Sequence, residues 1–226
     1  MCAISLVFDA GQPQHEVLAS LRRQRQVTPQ RAIDYFPHFG KASHMRLFIA
    51  LPVPVPLAEQ LVHLQTGIAG ARWSGVDHLH ITLRFVGEIE RPDGLALDAA
   101  LAEIVAPPVT IDLAGIGFFG HDRPHAVHVR LRESATLLVL RQRIERVCKQ
   151  AGLMADARAF LPHITLCYLP ARQRLEPVLA YQQAHNLFTS GPWTIDHFCL
   201  YRSVPQAQGP SHYQILASYD LTGAVS

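Results

Sequence analysis

The chain has 226 residues, 49% of them hydrophobic and 17% charged, with 20 Lys and Arg against 18 Asp and Glu. That balance excludes a disordered chain, and the length allows one large domain or two small lobes with a shared core. A formal charge of +2 excludes a protein that coats nucleic acid nonspecifically, since that mode needs a large excess of cations to neutralise phosphates.

Residues 1–44 hold an Arg-rich stretch (Arg22, Arg23, Arg25) and no sustained apolar period. The character changes abruptly at Met45, which could serve as a start, making 1–44 a non-native or poorly ordered N-terminal extension and 45–226 the domain. The other reading is a helix near 14–26 packed on that domain. The first residues lack a basic n-region, so no signal peptide is expected. The apolar run Leu47 to Ala58 is interrupted by prolines and too short to span a bilayer, so no membrane segment is expected. Met45 to Leu51 reads as a strand, Pro56 to Ala69 as a helix, Leu79 to Val86 as a strand and Asp93 to Val105 as a helix. Val109 to Phe119 and Ala126 to Leu131 read as strands either side of a turn-rich Gly120-to-Pro124 segment. Ser134 to Ala151 is the clearest helix, with Ser134 as N-cap and Gly152 past its end. Phe160 to Leu169 reads as a strand, Leu175 to His185 as a helix, and Trp193 to Arg202 and Tyr213 to Leu221 as closing strands. The mixture predicts an α+β fold whose sheets are covered by helices on one face. Cys2, Cys148, Cys167 and Cys199 form no C-x-x-C pair, which predicts reduced thiols in a cytoplasmic protein.

Among 13 histidines, two sit in identical settings: Leu79-His-Ile-Thr-Leu-Arg-Phe85 and Pro162-His-Ile-Thr-Leu-Cys-Tyr168. Imidazole titrates near neutrality and suits proton transfer. In a strand alternate side chains share a face, so His80 and Thr82 oppose Ile81, Leu83 and Phe85, while His163 and Thr165 oppose Ile164, Leu166 and Tyr168. Side by side, the two strands would present two imidazoles and two hydroxyls to one cleft. That set suits phosphodiester chemistry without a metal: one neutral His takes a proton from the nucleophile, one protonated His gives a proton to the leaving oxygen, and the Thr hydroxyls hold the phosphate. Arg84 continues the polar face as a candidate phosphate ligand. Which His takes which role is open from the residues alone.

The paired H-x-T motifs, with the opening strand Arg46 to Pro52, the context His78 to Glu88, the segment Phe160 to Leu166 and the late Phe198 to Ser203, resemble the two-histidine (2H) phosphoesterases. Within that group they resemble the bacterial RNA 2′,3′-cyclic phosphodiesterases, also called 2′-5′ RNA ligases. The resemblance covers nearly everything from Met45 onward. It implies a bilobal fold of two pseudo-symmetric antiparallel β-sheets flanked by helices, with the active-site cleft between them. It implies an enzyme that opens an RNA terminal 2′,3′-cyclic phosphate to a 2′-phosphate and, in reverse, joins a 5′-hydroxyl through a 2′-5′ bond. His80 is then the donor to the departing 3′ oxygen, His163 the acceptor that activates water, and Thr82 and Thr165 the phosphate holders. Where such proteins often continue the second motif with a basic residue, this chain has Cys167 and Tyr168, so the contact is expected to pass to Arg158. Expected partners are RNA ends bearing the cyclic phosphate, tRNA fragments among them; no cofactor, no membrane and a monomeric state are expected.

The cluster His121-Asp-Arg-Pro-His125-Ala-Val-His128 has metal-ligand residue types, but Pro124 forbids a regular helix and a turn accounts for it, so no metal site is expected. Phe118 and Phe119, after the Gly115-Ile-Gly117 stretch, are candidates for a base-stacking platform at the cleft edge, Phe119 above all, with core packing as the other reading. Arg141, Arg143, Arg146 and Lys149 read as a solvated helix face interrupted by Glu145. The competing classes are a noncatalytic nucleotide- or RNA-binding module on the same fold, and a metal-dependent phosphoesterase built on the 121–128 cluster.

Overall fold

The computed structural model describes residues 44–156, 158–207 and 210–223. The expectations for residues 1–44, the helix near 14–26 included, fall outside them except for His44. The elements in chain order are β1 (Met45–Pro52), α1 (Val55–Val62), β2 (Arg72–Trp73), β3 (His80–Ile89), α2 (Arg91–Ala102), β4 (Val109–Phe119), β5 (Ala126–Leu131), α3 (Ala135–Gln150), β6 (His163–Tyr168), α4 (Leu175–Ala184), β7 (Thr189–Ile195), β8 (His197–Val204) and β9 (His212–Asp220).

Local sequence accounts for most boundaries. Ser134 caps α3, its Oγ accepting from the Leu137 N–H at 3.3 Å, and Gly152 follows the helix at φ +81°. Leu137, Leu140, Ile144 and Cys148 form its buried stripe. The first helix is shorter than its apolar spacing predicts. Leu64 and Ile68 are buried, but in turns, because Gly67 and Gly70 at φ +86° and +74° reverse the chain.

All the described strands belong to one sheet, in the order β7-β4-β5-β6-β3-β1-β8-β9, with β2 paired to β6. The order separates into two four-stranded antiparallel halves, β3-β1-β8-β9 and β7-β4-β5-β6, which meet at a single pair, Ile81 opposite Ile164. The two expected sheets are thus present and joined edge to edge, each lobe giving its motif strand to the seam. β2 completes the junction, pairing Arg72 with Tyr168 and Trp73 with Cys167. The helices back one face: Leu57, Leu61, Leu97, Leu101, Ile144 and Val178 join Ile49, Ile81, Ile116, Val129 and Ile164 in one core. The other face is the cleft, where Phe48, Ala50, Cys199 and Tyr201 form a separate small cluster with Tyr213. Among the described residues, no helix is long and apolar enough to cross a membrane.

The predicted closing strand Trp193 to Arg202 is two strands. Ile195 pairs with Val109 at the edge of the second lobe, while His197 pairs with Asp220 in the first, so the chain changes lobe at Asp196. No Gly or Pro stands between Ile195 and Phe198, so no strong turn residue marks the crossover in the sequence.

Both motif strands carry the same irregularity. Ala50 faces Thr82 and Ile49 faces Arg84, so Leu83 is an extra residue; His128 faces Thr165 and Val127 faces Cys167, so Leu166 is extra. Each is a β-bulge, and a bulge inverts the alternation beyond it.

Candidate active site

The cleft face of the seam carries His80 and Thr82 from β3 and His163 and Thr165 from β6. The two imidazoles are held alike. His80 Nδ1 bonds the carbonyl of His78 at 2.7 Å, and His163 Nδ1 bonds that of Leu161 at 2.7 Å. A carbonyl only accepts, so each ring carries its proton on Nδ1 and leaves Nε2 to exchange protons. Among the described residues, neither Thr hydroxyl has a hydrogen-bond partner. Burial pushes the His80 pKa down to about 4, with the charges of His78 and His163 adding to the fall, and burial likewise lowers His163. Burial therefore favours the neutral form of both rings in the free protein.

The surroundings differ. His80 lies against Phe48, Tyr201 and Tyr213 at centroid distances of 5.1, 6.1 and 5.4 Å. Across the seam, Phe119 meets the His163 ring edge-on at 4.8 Å and stacks on His128 at 4.3 Å. A pocket beside the seam is lined by His78, His80 and Tyr213 of the first lobe, Thr165 and Tyr168 of the second, and Arg72 on β2. Burial and the neighbouring Tyr168 phenol push Tyr213 up to about 12.

The bulges correct three sequence expectations. Arg84 does not continue the polar face: the extra Leu83 turns it into the core, 5% exposed, where it pairs with Glu145 at 3.1 Å and Asp156 at 3.5 Å and donates to the carbonyls of Phe85 and Met154. It is therefore no phosphate ligand in this fold. Phe85 and Tyr168, expected in the core, are 46% and 43% exposed on the cleft side. Arg158 is at the cleft rim, its guanidinium 4.8 Å over the Phe85 ring and fixed to Asp156 by bonds of 3.0 and 3.2 Å. Those bonds hold the Asp156 carboxyl below the usual carboxylate range. Since Arg84 also grips Asp156, a buried ion pair orients an exposed one.

The helix face read as solvated is partly structural, with Arg141 bonded to Glu145 at 2.7 Å and lying over Phe160. The His cluster disperses. His121 pairs with Asp122 in solvent, His125 stacks on Phe119, and His128 faces the cleft beside His163. Among the described residues, no group of three metal-ligating side chains converges. Sequence reasoning missed His128, Tyr168 and Tyr213 as cleft residues. A strand with His128 two residues before Arg130 was a usable signal; the bulge that exposes Tyr168 was not.

A family model described as the 2′-5′ RNA ligase superfamily matches residues 53–206. The RNA 2′,3′-cyclic phosphodiesterase of Aeropyrum pernix is 29% identical over 147 residues, 63% of this chain and 84% of that one. The Escherichia coli protein of the same name is 28% identical over 181 residues, 78% of this chain and 97% of that one. Among solved structures, E. coli LigT complexed with 3′-AMP superposes with a TM-score of 0.63 at 25% identity, covering 80% of this chain and 99% of that one. The matched span holds both H-x-T strands, the seam and the β4–β5 hairpin, and the chain belongs to the 2′-5′ RNA ligase superfamily.

Proposed function

We propose that the protein is an RNA 2′,3′-cyclic phosphodiesterase that hydrolyses a terminal cyclic phosphate to a 2′-phosphate by proton transfer between two histidines, with no metal or cofactor. The observation that carries this reading is the duplicated Nδ1–carbonyl bond, which leaves two Nε2 atoms available for acid–base chemistry. The relatives' names supply the substrate class.

In the forward direction His163 Nε2 takes a proton from water as its oxygen bonds to phosphorus. The P–O3′ bond breaks, and protonated His80 Nε2 gives its proton to O3′. Water and cyclic phosphate become a 2′-phosphate and a free 3′-hydroxyl. An RNA 5′-hydroxyl in place of water gives a 2′-5′ bond by the same steps. Thr82 and Thr165 donate to the nonbridging oxygens as their charge grows. The monoanionic phosphate favours imidazolium beside it, offsetting the burial that keeps His80 neutral in the free protein. Phe119 offers a ring face to the terminal base and Arg158 a guanidinium to the strand. The protein is read as a cytoplasmic monomer acting on RNA fragments, those of tRNA included, and residues 1–44 as an extension to a domain of 45–226.

The test is an RNA ending in 2′,3′-cyclic phosphate incubated with the protein in EDTA, with the product identified by phosphorus NMR. A 2′-phosphate is expected. A 3′-phosphate, or full turnover by His80→Ala or His163→Ala, overturns the mechanism; binding without turnover by the wild type favours the noncatalytic module.

A further inference from the structure

The motif strands have different neighbours on the cleft side, where residues directly opposite in an antiparallel pair share a face. On β1, Pro52 stands opposite His80 and Ala50 opposite Thr82, an apolar flank. On β5, Arg130 stands opposite His163 and His128 opposite Thr165. Beyond them, β4 places Gly117 opposite His128. A Cβ on Gly117 would lie 2.6 Å from His128 Nε2, and one on Gly115 2.8 Å from Arg130 Nη2. The two glycines open a trough in which the imidazole and the guanidinium lie across β4, and Gly115 at φ +71° also has a backbone that other residues rarely adopt.

His128 is 7% exposed, wedged between Phe119 at 4.3 Å and His163 at 5.1 Å, and its buried Nδ1 has no hydrogen-bond partner. Burial, with repulsion from His163 and Arg130, lowers its pKa to about 4, so it adds a polar wall without adding charge. Arg130 is exposed, and among the described residues no carboxylate pairs with it. A guanidinium carried by the residue opposite His163, with no counter-ion of its own, attracts an anion from solution.

We propose that Arg130, with His128 as its wall, forms a second anion subsite on the His163 side of the cleft, taking an RNA phosphodiester next to the reacting phosphate. The proposal rests on the hydrolase reading above. The phosphodiester belongs either to the strand upstream of the cyclic phosphate or to a 5′-hydroxyl strand entering where His163 activates the nucleophile.

The experiment compares kcat/KM for a nucleoside 2′,3′-cyclic phosphate, its 5′-phosphorylated form and a dinucleotide ending in the cyclic phosphate. It also measures 2′-5′ bond formation against hydrolysis with a 5′-hydroxyl dinucleotide present. Wild type, Arg130→Gln, Arg130→Lys and Arg72→Gln are run in parallel. In wild type the phosphate-bearing substrates are preferred, and Arg130→Gln lowers that preference by about tenfold while Arg130→Lys keeps most of it. A preference is a ratio within one preparation, so partial misfolding cancels. A fall confined to the transfer-to-hydrolysis ratio assigns the subsite to the entering strand; a fall in the preference assigns it to the upstream strand. If Arg130→Gln leaves both ratios within about twofold of wild type, or if Arg72→Gln carries the loss instead, the subsite proposal is overturned. Wild-type turnover of none of the substrates overturns the hydrolase reading, and this proposal with it.

Discussion

β3 and β6 carry the same tetrapeptide, the same extra leucine and the same 2.7 Å bond from Nδ1 to a carbonyl two residues earlier. Yet the residue after each bulge is a buried arginine in an ion pair on one strand and a buried thiol, pushed up to about 11 by desolvation, on the other. Their flanks diverge equally, Pro52 and Ala50 against Arg130 and His128. The pose of each imidazole is a local property, repeated wherever the tetrapeptide and its bulge recur. What each imidazole can do is decided by the neighbouring strands, and those are not repeated.

Removing the imidazoles one at a time tests the likeness of the two strands most severely. His80→Ala and His163→Ala should each lower kcat/KM by about 10²–10⁴-fold with circular dichroism unchanged; a large loss on one side only would mean that the matched poses do not perform matched chemistry. Thr82→Val and Thr165→Val should each cost about 10²-fold in kcat, and unequal losses would show which hydroxyl meets the growing charge. Stability should separate the lobes. Arg84→Met leaves Glu145 and Asp156 without their shared cation and should cost about 3 kcal/mol in urea unfolding, against about 1 kcal/mol for Cys167→Ala. Equal costs would refute the view that Arg84 is structural. The smallest effect is in pH. Burial lowers both histidines from their ordinary 6.5, so both limbs of the kcat/KM profile should lie acid of 6.5, while the kcat profile moves alkaline because bound phosphate favours imidazolium. A kcat/KM maximum above pH 7 would contradict the burial reading.

The elements legible in the sequence were those set by local rules. The strands Val109–Phe119 and Ala126–Leu131 and the Ser134 cap stand where residue type and spacing predict. The motif histidines share a face because alternation holds up to the bulge. Beyond it alternation fails, and so Arg84 and Phe85 exchange the faces predicted for them, while Tyr168 leaves the core. A bulge depends on the partner strand, and nothing in His80 to Phe85 alone reports that Ile49 and Ala50 will pair around Leu83. The same limit hid the flank of His163, since Arg130 lies 33 positions from it in the chain and becomes its neighbour only through sheet register.

The change of lobe at Asp196 has a consequence for biosynthesis. The strands β4, β5, β6 and β7 are consecutive in the chain and make up one lobe, whereas β1 and β3 must wait for β8, which inserts between β1 and β9 and is made after all four. On a ribosome adding about 5–20 residues per second, the half-site of His163, Thr165, His128 and Arg130 can be in place seconds before the half-site of His80 has its sheet. When β7 has been made, every strand of the second lobe is present in the nascent chain, while the sheet around His80 still lacks β8 and β9.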